Sequence, residues 1–275
     1  MPVLERAGAR IHYEVSGRGP ALVFAHGMGG SHLSWWQQVP HFRDRYTCVV
    51  FAHRGFAPST EAPGGPGPRA FVDDLAALVD HLGLGDVRLV AQSMGGWTCI
   101  GYALREPARV RALVMACTVG TVAHPEIDAA IAEARARGVE SALLARGITP
   151  ALGERASVEQ PAIHYLYQSI GALAAGLDRA AVRAALVALR TTPPSALAAL
   201  TMPVLCITGE EDIVMPSAAV AALSRLLPRA RLARVPASGH SVYFERPDTF
   251  NRLVDELLAE VDGRPAETAA AAARR

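Results

Sequence analysis

The feature that most constrains the fold is a set of short, almost uninterrupted apolar runs in the first half of the chain. They occupy residues 21–26, 46–52, 87–91 and 110–116, and a more mixed run covers residues 9–15. Parallel strands that are covered on both faces have such continuous runs. Helical patterns separate the runs, over residues 31–43, 69–82 and 94–105. This alternation predicts an α/β fold with a mostly parallel, doubly wound sheet.

The pattern changes over residues 121–200, where no convincing strand is found. Helical patterns occupy residues 126–137, 158–175, 178–190 and 195–200. Strand patterns return at 203–208 and 230–235, with helical patterns at 216–227 and 247–261. Since neither flank makes a complete sheet, we predict one core domain from residues 1–120 and 201–262. We also predict that residues 121–200 form a helical cap inserted into this domain and that residues 263–275 form a flexible tail.

Composition argues against several classes of protein. With 275 residues, 51% of them hydrophobic, the chain can bury a full-sized core, and a net charge of +1 gives no reason to expect a nucleic-acid or membrane partner. No run approaches the ~18 apolar residues of a membrane span, and the first residues lack the apolar stretch of a signal peptide. The cysteines lie in apolar segments without a C-x-x-C pair, which is typical of reduced thiols in a cytoplasmic protein. They are Cys48, Cys99, Cys117 and Cys206.

Four segments that end or follow strands carry reactive or very small residues. They are H-G-M-G-G (26–30), Q-S-M-G-G (92–96), G-E-E-D-I-V-M-P (209–216) and S-G-H-S (238–241). Ligands of open parallel sheets bind at the carboxyl ends of the strands. We therefore expect these four segments to meet at one edge of the sheet.

Ser93 stands where a strand passes into a helix. A sharp turn there exposes the hydroxyl but requires small neighbours, which Ala91 and Gly95 supply. The helix that starts at Met94 points backbone N–H groups toward any oxyanion formed beside the serine. This is the nucleophile elbow, usually G-x-S-x-G, with Ala91 in place of the first glycine. A simple N-cap serine is the alternative, but glycines in the first helical turn cost stability.

His240 follows a strand and can serve as the base for Ser93. A surface loop histidine is the alternative, since the chain has 9 histidines. Asp212, after strand 203–208, can accept the second ring N–H of His240 and fix its tautomer. Glu210 and Glu211 are rival acids for that role.

The loop H-G-M-G-G has the composition for close backbone approach. It is expected to donate a second oxyanion-hole N–H from Met28, beside that of Met94, although alone it also fits a plain glycine turn. The order Ser93, Asp212, His240 along the chain is the nucleophile–acid–base order of α/β-hydrolases.

With these motifs, the chain resembles the α/β-hydrolase superfamily over about residues 9–260. The segments E-P-A-R-V-R-A-L-V-M-A-C-T (106–118) and F-E-R-P (244–247) also resemble segments of that family. The resemblance implies a cap after the sixth strand, catalysis by Ser93, His240 and Asp212, and no metal or organic cofactor. The stretch A-H-R-G-F-A-P-S (52–59) departs from the family's D-x-R-G-x-G-x-S at Ala52 and Ala57, so the local turn is expected to differ.

The resemblance extends most to small-molecule esterases and enol-lactonases. We therefore predict hydrolysis of an ester or lactone bond in a small, mostly apolar molecule, by a monomer or homodimer. The apolar cap favours such a substrate. Trp35 and Trp36 follow the oxyanion loop; Trp35 is assigned to the substrate pocket, while a core position fits each of them equally well.

Three other activities remain open at the level of sequence. A carbon–carbon bond hydrolase has the same triad, although many place Trp after the histidine, where this chain has Ser241. A cofactor-free haloperoxidase or perhydrolase uses the same three residues. A ligand receptor or a non-hydrolytic cyclase on a hydrolase fold belongs to another class, and the intact triad argues against a binder without activity.

Overall fold

The computed structural model describes residues 2–263, and the predicted tail beyond Gly263 lies outside them. These residues contain nine strands: β1 Val3–Arg6, β2 Ala9–Ser16, β3 Ala21–Ala25, β4 Thr47–Phe51, β5 Thr60–Glu61, β6 Val87–Gln92, β7 Val110–Ala116, β8 Val204–Gly209 and β9 Ala230–Val235. The sheet order is β1-β2-β4-β3-β6-β7-β8-β9, with β5 paired to β2.

Eleven α-helices accompany the strands in this part of the chain. They are α1 Gln38–Phe42, α2 Phe71–His81, α3 Gly95–Arg105, α4 Pro125–Ala136, α5 Val139–Ala145, α6 Glu154–Glu159, α7 Pro161–Ala172, α8 Arg179–Ala188, α9 Ser217–Leu226, α10 Val242–Glu245 and α11 Pro247–Asp262. Within residues 2–263, every helix is too short or too polar to span a bilayer.

The pairing of the strands confirms the predicted α/β class. Every neighbouring pair from β4 through β3, β6, β7 and β8 to β9 is parallel. Only the pairs made by β2, with β1, β4 and β5, are antiparallel. The sequence patterns did not predict β1 and β5, because β1 is short and only partly buried and β5 has only two residues.

Alternate residues of the central strands face two separate parts of the core. Val23 and Leu89 pack in one buried cluster with residues of α2 and α3. Phe24 and Val90 pack in another with residues of α1 and α11. Because successive side chains of a strand point to opposite faces, helices cover both faces of the sheet, as the continuous apolar runs predicted. All four cysteines are buried and free.

Helices α4–α8 lie between β7 and β8, within residues 121–200. This position follows the sixth strand of the sheet when the two-residue β5 is not counted. The two ends of the segment meet at a bridge between Val122 and Thr192, beside a 2.7 Å hydrogen bond between the hydroxyls of Thr121 and Thr192. Tyr167 and Ile170 of α7 pack into the core, whereas Tyr165 is 73% exposed.

Two predicted helices are interrupted in the structure. The segment 158–175 breaks between α6 and α7, because Pro161 disfavours a helical conformation at Gln160, which has φ −135°. The segment 31–43 divides into a 3-10 turn, His32–Trp35, and the short α1. Helix α5 was missed; it lies between Gly138 and Gly147, both at positive φ.

The first turn of α3 has no room for a side chain at Gly95. A Cβ there would lie 2.1 Å from the backbone oxygen of Ala25 in β3. We expect Gly95→Ala to lower the free energy of unfolding by about 3 kcal/mol, because backbone atoms of a central strand cannot move aside. Urea denaturation measures this change. Gly85→Ala is the matched control, since nothing lies within 4 Å of a Cβ at Gly85; equal stability of the two variants would contradict the prediction.

Candidate active site

Ser93 lies in a strained turn between β6 and α3. Its φ of 49° is in the left-handed region, which residues other than glycine rarely adopt. The turn is held by a 3.0 Å hydrogen bond from the Ser93 N–H to the Ala116 carbonyl and by a 2.8 Å bond from the Gly96 N–H to the Ser93 carbonyl. Such strain is typical of functional positions, where the surrounding structure maintains it.

Small residues allow the elements around Ser93 to approach closely. A Cβ at Gly27 would lie 2.0 Å from the side-chain oxygen of Gln92 and 3.1 Å from the Cβ of Ser93, and a Cβ at Gly96 would lie 2.2 Å from the Thr118 hydroxyl. The methyl group of Ala91 is fully buried. The turn therefore forms with alanine in the place of the first glycine of the motif.

The structure brings Ser93, His240 and Asp212 into one chain of hydrogen bonds. His240 Nε2 lies 2.8 Å from Ser93 Oγ, and His240 Nδ1 lies 2.8 Å from Asp212 Oδ2. The other oxygen of Asp212 accepts the backbone N–H groups of Val214 and Met215, each at 2.8 Å. A carboxylate only accepts hydrogen bonds, so the contact with Asp212 assigns the ring proton to His240 Nδ1 and leaves Nε2 free to accept one from Ser93.

Of the three candidate acids, only Asp212 reaches the histidine. Glu210 is exposed. Glu211 pairs with Arg155 of α6 at 2.7 Å. The Asp212 residue is 7% exposed and His240 is 4% exposed, so their contact is largely shielded from water.

Two residues that the sequence analysis did not single out hold the loop around His240. The buried carboxylate of Glu245 accepts the N–H groups of Gly239 at 3.0 Å, Ser241 at 3.2 Å and Gly153 of the cap at 3.4 Å. Burial raises the pKa of Glu245 above its ordinary value. The Gln92 side-chain amide donates to the His240 carbonyl at 3.1 Å. An acid inside the apolar segment V-Y-F-E is the signal that could have identified Glu245.

His26 supports the loop that carries Met28. Its Nε2 accepts the His53 N–H at 3.0 Å, so its Nδ1–H donates to the Gly27 carbonyl at 2.7 Å. Burial lowers the pKa of His26 to about 4, and this ring is neutral at neutral pH. A Cβ at Gly27 would lie 3.1 Å from the Cβ of Ser93, so Met28, the next residue, follows a position close to the elbow, and Met94 directly follows the serine.

The lowered pKa of His26 makes stability fall as the solution is acidified. Above pH 6.5 the ring is neutral in both folded and unfolded chains, and between 6.5 and about 4 the unfolded chain binds the extra proton. We expect this residue to remove about 3 kcal/mol of stability across that range. Urea denaturation at pH values between about 4 and 7 measures the slope. His26→Asn should show a shallower slope, and an unchanged slope would contradict this origin.

An apolar cluster lies where the cap covers the elbow. On the core side it includes Phe56, Met94 and Trp97, with Met28 packed against it. On the cap side it includes Ala174, Leu177, Val182, Leu186 and Leu189. The Trp97 indole N–H also donates to the Leu186 carbonyl at 2.8 Å, which joins α3 to the cap.

A cleft of about 770 Å³ opens between the cap and residues 55–69. Ser93 does not line it, but Ala174, Leu177 and Val182 belong both to its lining and to the apolar cluster around Met94. The hydrogen-bonded geometry at Ser93, rather than the size of this cleft, identifies the candidate site. Through the shared side chains, the cleft and the elbow are neighbours.

Trp35 lies in the core beneath the site. It is fully buried and packs against Phe24, Tyr243 and Phe250, with ring centroids 5.1, 4.6 and 6.4 Å away. Trp36 is 43% exposed and packs against Phe244. The packing of Trp35 favours the core position that the sequence left open over its assignment to the substrate pocket.

Cys117 lies behind the acid. Its thiol sulfur and ligand atoms of Asp212 and His240 are all within 4.8 Å of one another. Burial, together with the Asp212 carboxylate, raises the pKa of this thiol well above its ordinary value. The thiol therefore stays protonated and unreactive at neutral pH.

The comparisons with known proteins agree with this geometry. The family model of the alpha/beta hydrolase fold matches residues 20–247. RutD of Agrobacterium fabrum, provisionally named a carbamate hydrolase, is 26% identical over 262 residues, which cover 92% of this chain and 99% of that protein. The 3-oxoadipate enol-lactonase 2 of Acinetobacter baylyi is 27% identical over 244 residues, with 87% and 88% covered. The structure of Est816, described as an N-acyl homoserine lactone degrading enzyme, superposes with a TM-score of 0.75 and 26% identity, covering 92% of this chain and 98% of that chain.

Proposed function

The chain belongs to the α/β-hydrolase family, and on that premise we propose that it hydrolyses an ester or lactone bond of a small, mostly apolar molecule. The observation that carries the proposal is the hydrogen-bond chain from Ser93 Oγ through His240 to Asp212, with both links at 2.8 Å. A serine hydroxyl becomes a nucleophile when a positioned base can take its proton.

In the first half of the reaction, Ser93 Oγ attacks the carbonyl carbon as His240 Nε2 takes the hydroxyl proton. Asp212 holds the opposite N–H of the ring and stabilises the imidazolium that forms. The carbonyl oxygen becomes an oxyanion, and the backbone N–H groups of Met28 and Met94 stabilise it. The C–O bond of the ester then breaks, and His240 gives its proton to the departing alkoxide.

In the second half, the acyl group is bonded to Ser93. Water attacks its carbonyl carbon as His240 takes a proton from that water. The second tetrahedral intermediate releases Ser93, whose oxygen recovers the proton from His240, and the acid leaves. For a lactone, the alcohol and the acid remain parts of one molecule.

The surface beside the elbow supports the proposed substrate class. Met94 belongs to the apolar cluster described above, and Met28, Leu177 and Val182 pack against that cluster. Such a surface favours an apolar acyl or alcohol group. The relatives named for a carbamate, an enol-lactone and a homoserine lactone support attack at a carbonyl carbon bonded to a heteroatom.

Nitrophenol release from p-nitrophenyl esters of increasing acyl length tests the proposal, with proton release from a matched lactone series. We expect turnover in at least one series, with a preferred chain length set by the apolar cluster. A folded protein that cleaves neither series would overturn the ester or lactone assignment. Cleavage of a carbon–carbon bond or peroxide-dependent halogenation by that same protein would identify the replacement.

A further inference from the structure

A second cluster of reactive side chains lies outside the Ser93 site. His12 and Glu14 are two residues apart on β2, so their side chains project from the same face of the sheet. The 3-10 turn His32–Trp35 brings His32 to that face. Both His12 Nε2 and His32 Nε2 lie 3.5 Å from the same oxygen, Oε1 of Glu14.

The two imidazoles are buried without full hydrogen bonding. His12 is 2% exposed and His32 is 7% exposed. Among residues 2–263, His12 Nε2, which faces Glu14, has no hydrogen-bond partner; the other nitrogen without one is His32 Nδ1, on the far side of that ring from the Nε2 that faces Glu14. A buried polar atom without a partner destabilises a fold, and an ion held between His12 and Glu14 would supply the partner that His12 Nε2 lacks.

The spacing of the three ligand atoms suits a tetrahedral metal ion. Ligands about 2.0–2.1 Å from Zn²⁺ are roughly 3.3–3.4 Å from one another, which is close to the two 3.5 Å separations. The nitrogen and oxygen atoms of this group all lie within 4.8 Å of one another. Imidazole and carboxylate are common ligands of zinc and its first-row neighbours.

We propose that His12, Glu14 and His32 bind one divalent first-row transition ion, with Zn²⁺ as the representative. His12 Nε2, His32 Nε2 and Glu14 Oε1 are the protein ligands. The Glu14 side chain is 45% exposed, which gives the ion a path from solvent and leaves the fourth position to water. The ion links β2 to the turn that directly follows the loop 26–30.

Calorimetric titration of the chelator-treated full chain with Zn²⁺ tests the proposal. We expect one equivalent to bind, and we expect His12→Gln, Glu14→Gln and His32→Gln each to weaken binding at least about tenfold. Glu14→Gln keeps the test decisive if the buried histidine variants fold poorly, because Glu14 is half exposed. His41→Gln is the matched control, since His41 forms another histidine–carboxylate pair, with Asp255 at 2.6 Å.

The group Cys117, Asp212 and His240 is the competing site for an added ion. Co²⁺ distinguishes the two, because a thiolate ligand gives a sulfur-to-cobalt charge-transfer band that nitrogen and oxygen ligands lack. We expect no such band and unchanged binding in His240→Gln. The absence of Zn²⁺ binding by wild type would overturn the proposal. So would binding that survives all three variants of the cluster but is lost in His240→Gln.

Discussion

Ser93→Ala is expected to reduce kcat for ester hydrolysis by at least about four orders of magnitude. The proposed reaction requires a bond between Ser93 Oγ and the substrate, and alanine has no atom to form it. His240 and the backbone N–H groups of Met28 and Met94 remain, so only the slow reaction with water in the oriented site is left. Binding of substrate should change much less than kcat.

Nitrophenol release by purified wild type and Ser93→Ala measures this loss, with thermal unfolding to verify the fold. Ser93→Gly is a second variant with a distinct expectation. It should be equally inactive but more stable than Ser93→Ala, because glycine adopts a φ of 49° without strain. Ser224→Ala in α9 is the control serine and should retain wild-type turnover. Equal turnover by wild type and both Ser93 variants would eliminate the covalent mechanism.

Asp212→Asn is expected to lower kcat about 10⁴-fold while the protein remains folded. The amide oxygen can still accept the N–H groups of Val214 and Met215, so the turn persists. The amide NH₂ then faces His240 Nδ1, where an acceptor stood. This contact favours the tautomer of His240 that carries its proton on Nε2, and that tautomer cannot take the proton of Ser93.

The rate of ester hydrolysis at saturating substrate measures this effect. Glu211→Gln is the matched control, because it removes a neighbouring acid whose partner is Arg155 rather than His240. It should leave kcat near that of wild type. If Asp212→Asn kept its activity, or Glu211→Gln lost as much, Asp212 would not be the residue that orients His240.

The central sheet could be predicted from sequence because its signal is local. The apolar runs that form β3, β4, β6 and β7 are buried on both faces, and nothing in a single run depends on distant residues. The break between α6 and α7 also has a local cause at Pro161, which the helical periodicity of the surrounding residues obscured. Strand β1 gave no such signal, since its residues are half-buried and include charges.

The parts of the site that depend on contacts between distant segments were not predictable. Ser93, Asp212 and His240 could be ordered along the chain, because each follows a strand. The role of Glu245 depends on backbone groups as distant as Gly153, and no motif relates the two positions. For Trp35, the sequence indicated a position after the oxyanion loop but not the direction of the side chain. The packing of Phe24 and Tyr243 against its ring shows that the ring points into the core.

The single carboxylate of Glu245 has a mechanical consequence for the enzyme. It holds the residues on both sides of His240 and, with the same two oxygens, Gly153 at the edge of the cap. If Gly153 moved away from the core, the Glu245 carboxylate would lose one of its three backbone donors and keep those of Gly239 and Ser241. We therefore expect a ligand that displaces Gly153 to loosen the hydrogen bonds that position the loop around His240, without contacting the histidine itself.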